Sequence, residues 1–163
     1  MKTSIRIIAV LVLIASMAVS TLAIADDNVG MVVASRGEVL AMAKGGSREL
    51  KQGDLVYVDD EIMTANRSFA VLQFVDGAKV SLRPDSYLII EQYLYASSGQ
   101  DAATLKLVSG GLRVVSGAIA NAQPENYKIR TPLALMSVQG AEGSLTLCGE
   151  DICEQEGLAE IPE

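Results

Sequence analysis

Few residue types in this sequence can do chemistry, and the missing ones exclude more than the present ones suggest. The 163 residues contain no His. That removes Ser-His-Asp and Cys-His nucleophilic sites, His-ligated zinc and imidazole-based pH switching together. Two cysteines are present, Cys148 and Cys153, spaced C-x4-C. In an oxidising compartment an even count of this kind reads as one disulfide. A redox-active pair usually has two residues between its sulfurs, and two thiolates alone leave a zinc tetrahedron half empty. The carboxylates supply no stronger constellation. Asp59-Asp60-Glu61 is the densest acidic cluster in the middle of the sequence, but calcium wants six to eight oxygens from alternating positions around a Gly turn, and the triplet lacks that spacing. Asp54 and Asp76 each adjoin a Gly, where a carboxylate commonly bonds the backbone of its own turn. A glycosidase needs two acids at a suitable separation, and nothing selects one pair here. The expectation is a protein without catalytic, cofactor or metal sites.

The most suggestive non-catalytic pattern is Tyr87-Leu88-Ile89-Ile90-Glu91-Gln92-Tyr93-Leu94-Tyr95. In a regular strand the odd positions share one face. If Leu88, Ile90 and Leu94 point into a core, Tyr87, Tyr93 and Tyr95 form an exposed row, and Tyr is enriched where proteins bind partners. The alternative is ordinary cross-strand packing with the hydroxyls reaching water.

The elements that must position these residues read as strands. Ser68 to Val75 is a β-branched and aromatic run, Asp76-Gly77 follows, and Ala78 to Leu82 resumes the alternation. Asp-Gly between two such runs predicts a hairpin through a two-residue type I′ turn. Ser109-Gly110-Gly111 separates two further strands, Lys44-Gly45-Gly46-Ser47 and Gly53-Asp54 mark reversals, and Thr131-Pro132 forms a break before Leu133 to Val138. Past the first residues no apolar stripe of helical period is sustained over three turns. Ten to twelve short strands predict an all-β domain, either a sandwich or a coil of short strands. The triplets Gly37-Glu38-Val39, Gly53-Asp54-Leu55 and Gly143-Ser144-Leu145 hint at stacked rungs.

The ends differ from this body. Lys2 and Arg6 precede an uncharged apolar run from Ile7 to Ala25 that closes on Ala23-Ile24-Ala25. A basic start, an apolar middle and an A-x-A site predict a secretory signal peptide, residues 1–25, cleaved after Ala25. Uncleaved, the same run is long enough to anchor the protein in a membrane. Beyond Arg130 there is no Lys or Arg, while seven acids follow. Residues 148–163 are therefore expected to be a disulfide loop and an acidic tail. With 20 acids against 13 bases the net charge is -7, which disfavours nucleic acid as a partner.

The order of these pieces resembles the FecR domain. Leu50-Lys51-Gln52-Gly53-Asp54-Leu55 through Asp60-Glu61-Ile62-Met63-Thr64 is similar to its opening, and Arg67 through Ser86, with the Asp-Gly hairpin and a Pro turn, is similar to its central signature. Leu107 to Arg113 and Ile129 to Val138 resemble the later Gly hairpin and the Thr-Pro-Leu-Ala strand. The likeness spans about residues 30–147. It departs at Gln139-Gly140-Ala141, where the family usually has Arg-Gly-Thr, and in the acidic ending. The resemblance implies an exported, stand-alone FecR-like domain, β-helical or sandwich-like, without the cytoplasmic anti-sigma segment and membrane span of the signalling members. Its implied role is a non-enzymatic periplasmic interaction or sensory module, with another envelope protein or a cell-wall component as partner and no cofactor. The rival reading is a structural scaffold or surface protein of the envelope.

Overall fold

The computed structural model describes residues 28–96, 100–138 and 140–147. The expected signal peptide at residues 1–25, with its cleavage after Ala25, the expected Cys148–Cys153 disulfide and the acidic tail all lie outside the described residues.

Among the described residues, thirteen strands carry nearly all of the regular structure. They are β1 (Gly30–Arg36), β2 (Val39–Ala43), β3 (Gly46–Glu49), β4 (Leu55–Val56), β5 (Glu61–Thr64), β6 (Phe69–Phe74) and β7 (Lys79–Leu82). After these come β8 (Tyr87–Leu94), β9 (Ala102–Ser109), β10 (Gly111–Val115), β11 (Tyr127–Arg130), β12 (Leu135–Ser137) and β13 (Glu142–Thr146). The first sheet has the order β13-β10-β7-β6-β1-β4, and the second β12-β11-β9-β8-β5-β2-β3. The backbone crosses between the sheets repeatedly while advancing along both, so the all-β expectation holds. Neighbours are antiparallel except β9 and β11, which run parallel through the register Ala103 to Lys106 against Tyr127 to Arg130.

Alternation puts one parity of each strand between the sheets. Val32, Leu72, Val80, Leu112 and Val114 of the first sheet form one buried cluster with Val39, Ile62, Leu88, Ile90, Leu105 and Leu107 of the second. The β-branched and Leu-rich runs of the sequence are thus the inner faces of a two-layer core.

The turns depart from expectation in informative ways. Lys44-Gly45 closes a true hairpin, with Ala43 opposite Gly46. At Asp76-Gly77 only Gly77 has a positive φ, 84°. The Phe74 carbonyl accepts the Gly77 N–H at 2.9 Å, and Phe74 N–H reaches Ala78 O at 2.8 Å. This is a longer connection with one left-handed glycine, not the two-residue type I′ turn. The reason is the Asp76 carboxylate, which folds back to accept the Ala78 N–H at 3.0 Å. Gly110, at φ 77°, is a corner rather than a hairpin, because β9 belongs to the second sheet and β10 to the first. Leu133 and Ala134 leave the expected strand for the Thr131-Pro132 turn, where Thr131 Oγ1 accepts both of their N–H groups at 3.3 and 2.9 Å. Of the three Gly triplets, Gly37 and Gly53 are left-handed turn residues, whereas Gly143 lies within β13.

One helix of five residues, α1 (Ala118–Ala122), follows β10. Its N-cap is Gly117, which has no side chain to satisfy the first N–H groups. Asp76 does so from across the fold. Its backbone carbonyl accepts from Ala118 at 2.9 Å and its Oδ2 from Ile119 at 3.2 Å. Among the described residues no helix is long and apolar enough to cross a membrane.

Candidate functional site

The residues singled out by sequence do not converge on one centre. Asp59, Asp60 and Glu61 face three ways. Asp59 is exposed, sits at φ 67° and pairs with Lys44 at 3.3 Å. Asp60 is buried and takes a two-pronged contact from Arg48, 3.1 Å to Oδ1 and 2.5 Å to Oδ2, while its Oδ2 also accepts the Tyr57 N–H at 2.9 Å. Glu61 accepts a hydrogen bond from the Tyr87 hydroxyl. Three acids on one strand entry therefore serve three local contacts. Among the described residues no group of three candidate ligands could hold a metal ion. Asp54 behaves as its Gly neighbour predicts, accepting the Lys51 N–H at 2.7 Å within its own turn.

Asp76 is likewise a turn residue, with a second role that nothing in the sequence signals. Its Oδ1 accepts the Tyr93 hydroxyl at 2.5 Å inside the core. Tyr93 stacks on Phe74 with ring centroids 4.4 Å apart and meets Tyr127 edge-on at 6.4 Å. Burial, then the neighbouring Tyr127 hydroxyl and Asp76, push the Tyr93 pKa far above its ordinary value. Burial and the Asp76 charge do the same to Tyr127, whose hydroxyl finds no hydrogen-bond partner among the described residues.

The tyrosine row therefore does not form on one face. The register of β8 against β9 shifts between Ile90 and Gln92, so Glu91 and Gln92 both stay outside and Tyr93 turns inward. An inserted residue of this kind reverses side-chain parity for the rest of the strand. Tyr87 remains on the outer face. Tyr95 lies exposed just past the end of β8.

What Tyr87 joins is a different surface. On the solvent side of the second sheet the register places Leu40 beside Met63 and Met63 beside Tyr87 in one row. In the next row Met42 faces Glu61, Glu61 faces Ile89, and Ile89 faces Lys106. Leu40, Met63, Tyr87 and Ile89 are half-buried and Met42 is exposed. Polar side chains are the usual choice for the solvent face of an antiparallel sheet. Here five apolar or aromatic side chains from three adjacent strands are contiguous, with a single carboxylate, Glu61, held among them by Tyr87. That bond, followed by burial and the Glu61 charge, raises the Tyr87 pKa. The patch borders a cleft of about 850 Å³ at the β2–β3 hairpin, lined by Met42, Lys44, Asp59, Glu61 and Ile89 among others. At its other flank stand Lys106 and Arg130, directly opposite each other on β9 and β11, with Arg130 3.3 Å from Glu91. The face thus runs from acidic through apolar to basic. Such a surface suits another protein better than a small polar substrate, because thioether and aromatic side chains repack around varied shapes. Its signal in the sequence is that Val39-Leu40-Ala41-Met42 and Ile62-Met63 are apolar at both parities.

Comparison with known proteins gives one match. The family model described as FecR protein matches residues 60–152, more than half of the sequence. The matched span runs from β5 through β13 and takes in the Asp-Gly connection, the later Gly turn and the Thr-Pro-Leu-Ala segment, while β1 to β4 precede it. No curated protein and no solved structure matches.

Proposed function

The chain belongs to the FecR family, and from that premise we propose that it is a non-enzymatic interaction and sensory module of the bacterial envelope, exported to the periplasm after cleavage behind Ala25. The observation that carries the reading is the outer face of the second sheet. Leu40, Met42, Met63, Tyr87 and Ile89 form a contiguous apolar patch on a side that no described element covers. The partner is another envelope protein that buries this patch, with Tyr87 and Glu61 supplying orientation at its centre.

A photo-activated crosslinking residue at Met42 or Ile89, in cells that are then fractionated, tests the proposal. The expected result is one discrete heterologous adduct in the periplasmic fraction. It should be absent when the probe is at Gln73 on the outer face of the first sheet, and weakened at least ten-fold by Met63→Glu. Recovery with cell-wall material or in ordered self-assemblies, without a discrete adduct, favours the envelope scaffold instead. Turnover of glycans by the pure protein would revive the enzyme reading.

A further inference from the structure

A second exposed apolar feature lies apart from the patch around Tyr87, in a turn. β11 ends on Arg130, β12 starts opposite it on Leu135, and Thr131 to Ala134 join them. Pro132, Leu133, Ala134 and Leu135 are all exposed, and Leu133, at 92 %, is more exposed than any other large apolar residue described. Four consecutive exposed apolar residues are out of place on a folded domain unless something covers them. The turn is also closed in its hydrogen bonding. Pro132 has no N–H, Leu133 and Ala134 donate theirs to Thr131 Oγ1, and Thr131 donates its own to Ala134 O at 2.8 Å. No backbone donor from Thr131 to Ala134 is left to lose a water on entering an apolar phase, where an unsatisfied polar group is heavily penalised. Protein interfaces surround an apolar centre with a hydrogen-bonding rim. This turn has no such donors to offer, and hydrocarbon asks for none.

The strands behind the turn are basic. On the outer face of the second sheet the register sets Lys106 beside Arg130 and Arg130 beside Leu135, with Lys128 opposite Ser137 two residues back. Lys128 and Arg130 are exposed and Lys106 is half-buried. Glu91 is 3.3 Å from Arg130, a pair open to solvent and therefore weak, and neither Lys106 nor Lys128 forms an ion pair with another described residue. Residues 28–147 hold 11 bases and 12 acids, so three bases against one acid make a local positive strip on a nearly neutral body. A surface in contact responds to this strip, because charges beyond about 8 Å are largely screened. We propose that the β11–β12 turn is a membrane-docking tip for an anionic bilayer. Leu133, with Pro132 and Leu135, enters the headgroup boundary, and Lys106, Lys128 and Arg130 hold lipid phosphates behind it. Met42 and Met63 lie on β2 and β5, strands remote from this tip in the sheet order, and stay open to a protein partner.

The sequence contains no Trp, so Leu133→Trp supplies a single fluorescent reporter in the protein as purified from cells. With vesicles of about 30 % phosphatidylglycerol in phosphatidylcholine, its emission should shift to the blue by about 10 nm and be quenched by brominated lipid. Val75→Trp, at an exposed site beyond the opposite end of the strands, should show neither effect. Vesicle binding should weaken at least ten-fold in Leu133→Asp, in Lys128→Glu and in about 500 mM salt, with thermal melting of both variants unchanged because their sites are exposed. Absence of the shift at position 133, an equal shift at position 75, or equal binding to pure phosphatidylcholine vesicles would each overturn the proposal. So would a blue shift that grows with protein concentration without lipid, which would mean that a second copy covers the turn. The crosslinked adduct from Met42 should survive Leu133→Asp. Its loss, with no vesicle binding by the parent protein, would make the turn part of the protein interface and overturn the lipid docking alone, so the two proposals fail separately.

Discussion

Asp76 gathers more of the fold than any other single residue described. One carboxylate, nearly buried, accepts from Ala78 N–H, Ile119 N–H and the Tyr93 hydroxyl, and so ties a hairpin, a helix N-terminus and the core together. Substituting it with Ala leaves three donors without acceptors. A buried unsatisfied donor costs about 1–3 kcal/mol, and water at the hairpin recovers part of that. Asp76→Ala should destabilise by about 3–5 kcal/mol in urea unfolding, and Asp76→Asn by less, since the amide keeps one accepting oxygen. Gly117 shares this dependence, because a Cβ there would sit 2.6 Å from Asp76 Cγ. Two other glycines separate conformation from space. Gly77 and Gly110 both have positive φ, 84° and 77°. Around Gly77 nothing lies within 4 Å of an added Cβ, whereas at Gly110 it would meet Asp85 O at 2.6 Å and Ser86. Gly77→Ala should therefore cost only the left-handed backbone penalty, about 1–2 kcal/mol. Gly110→Ala must also displace the corner and should cost at least twice as much by the same measurement.

At the scale of elements, the short edge strand β3 depends on one clamp. Arg48 reaches from it to the buried Asp60 and to Leu55 O at 3.2 Å, and its guanidinium stands 5.5 Å from the Tyr57 ring centre. Arg48→Ala strands the Asp60 carboxylate. Breaking a fully buried pair costs about 3–5 kcal/mol, but Arg48 is about a third exposed, so about 2 kcal/mol is expected. Hydrogen exchange should rise first in β3 and in the β4–β5 connection, and Arg48→Lys should recover only part of the loss because a single ammonium does not reproduce the two-pronged grip. The same elements show what can be read from sequence. Leu105 and Leu107 against Lys106, or Val80 and Leu82 against Ser81, give their faces away by simple alternation. Tyr93 escapes that rule, because the register shift between Ile90 and Gln92 inverts parity and no glycine or proline marks it. The direction of Asp60 is equally hidden, since it depends on an arginine twelve residues away. The apolar outer face is present in the letters, as Leu40, Met42 and Met63, but it becomes a surface only once β2, β5 and β8 are set side by side. That step belongs to pairing, not to any local pattern.

Across the whole molecule, the two buried tyrosines make stability depend on alkaline pH. Tyr93 and Tyr127 both have their pKa raised on folding, chiefly by burial. The folded state holds these phenols neutral where the unfolded state ionises them near pH 10. Above that pH the native state binds more protons than the unfolded state, so stability falls as pH rises; below it the two states match and no dependence arises from these groups. Two phenols retained as neutral correspond to a loss of about 2.7 kcal/mol per pH unit above about pH 10. Urea unfolding at about pH 8, 10 and 11 measures this slope, and ultraviolet absorbance of the phenolate should show fewer tyrosinates in the folded protein than in urea at the highest of these. Tyr127→Phe separates the contributions. Its hydroxyl makes no hydrogen bond among the described residues, so its removal should leave stability at about pH 8 unchanged or raise it by about 1 kcal/mol, while halving the alkaline slope. A loss of more than about 2 kcal/mol at that pH would mean that the Tyr127 hydroxyl is satisfied in solution, and that the aromatic cluster is held by a hydrogen-bonded network rather than by ring packing around the single bond from Tyr93 to Asp76.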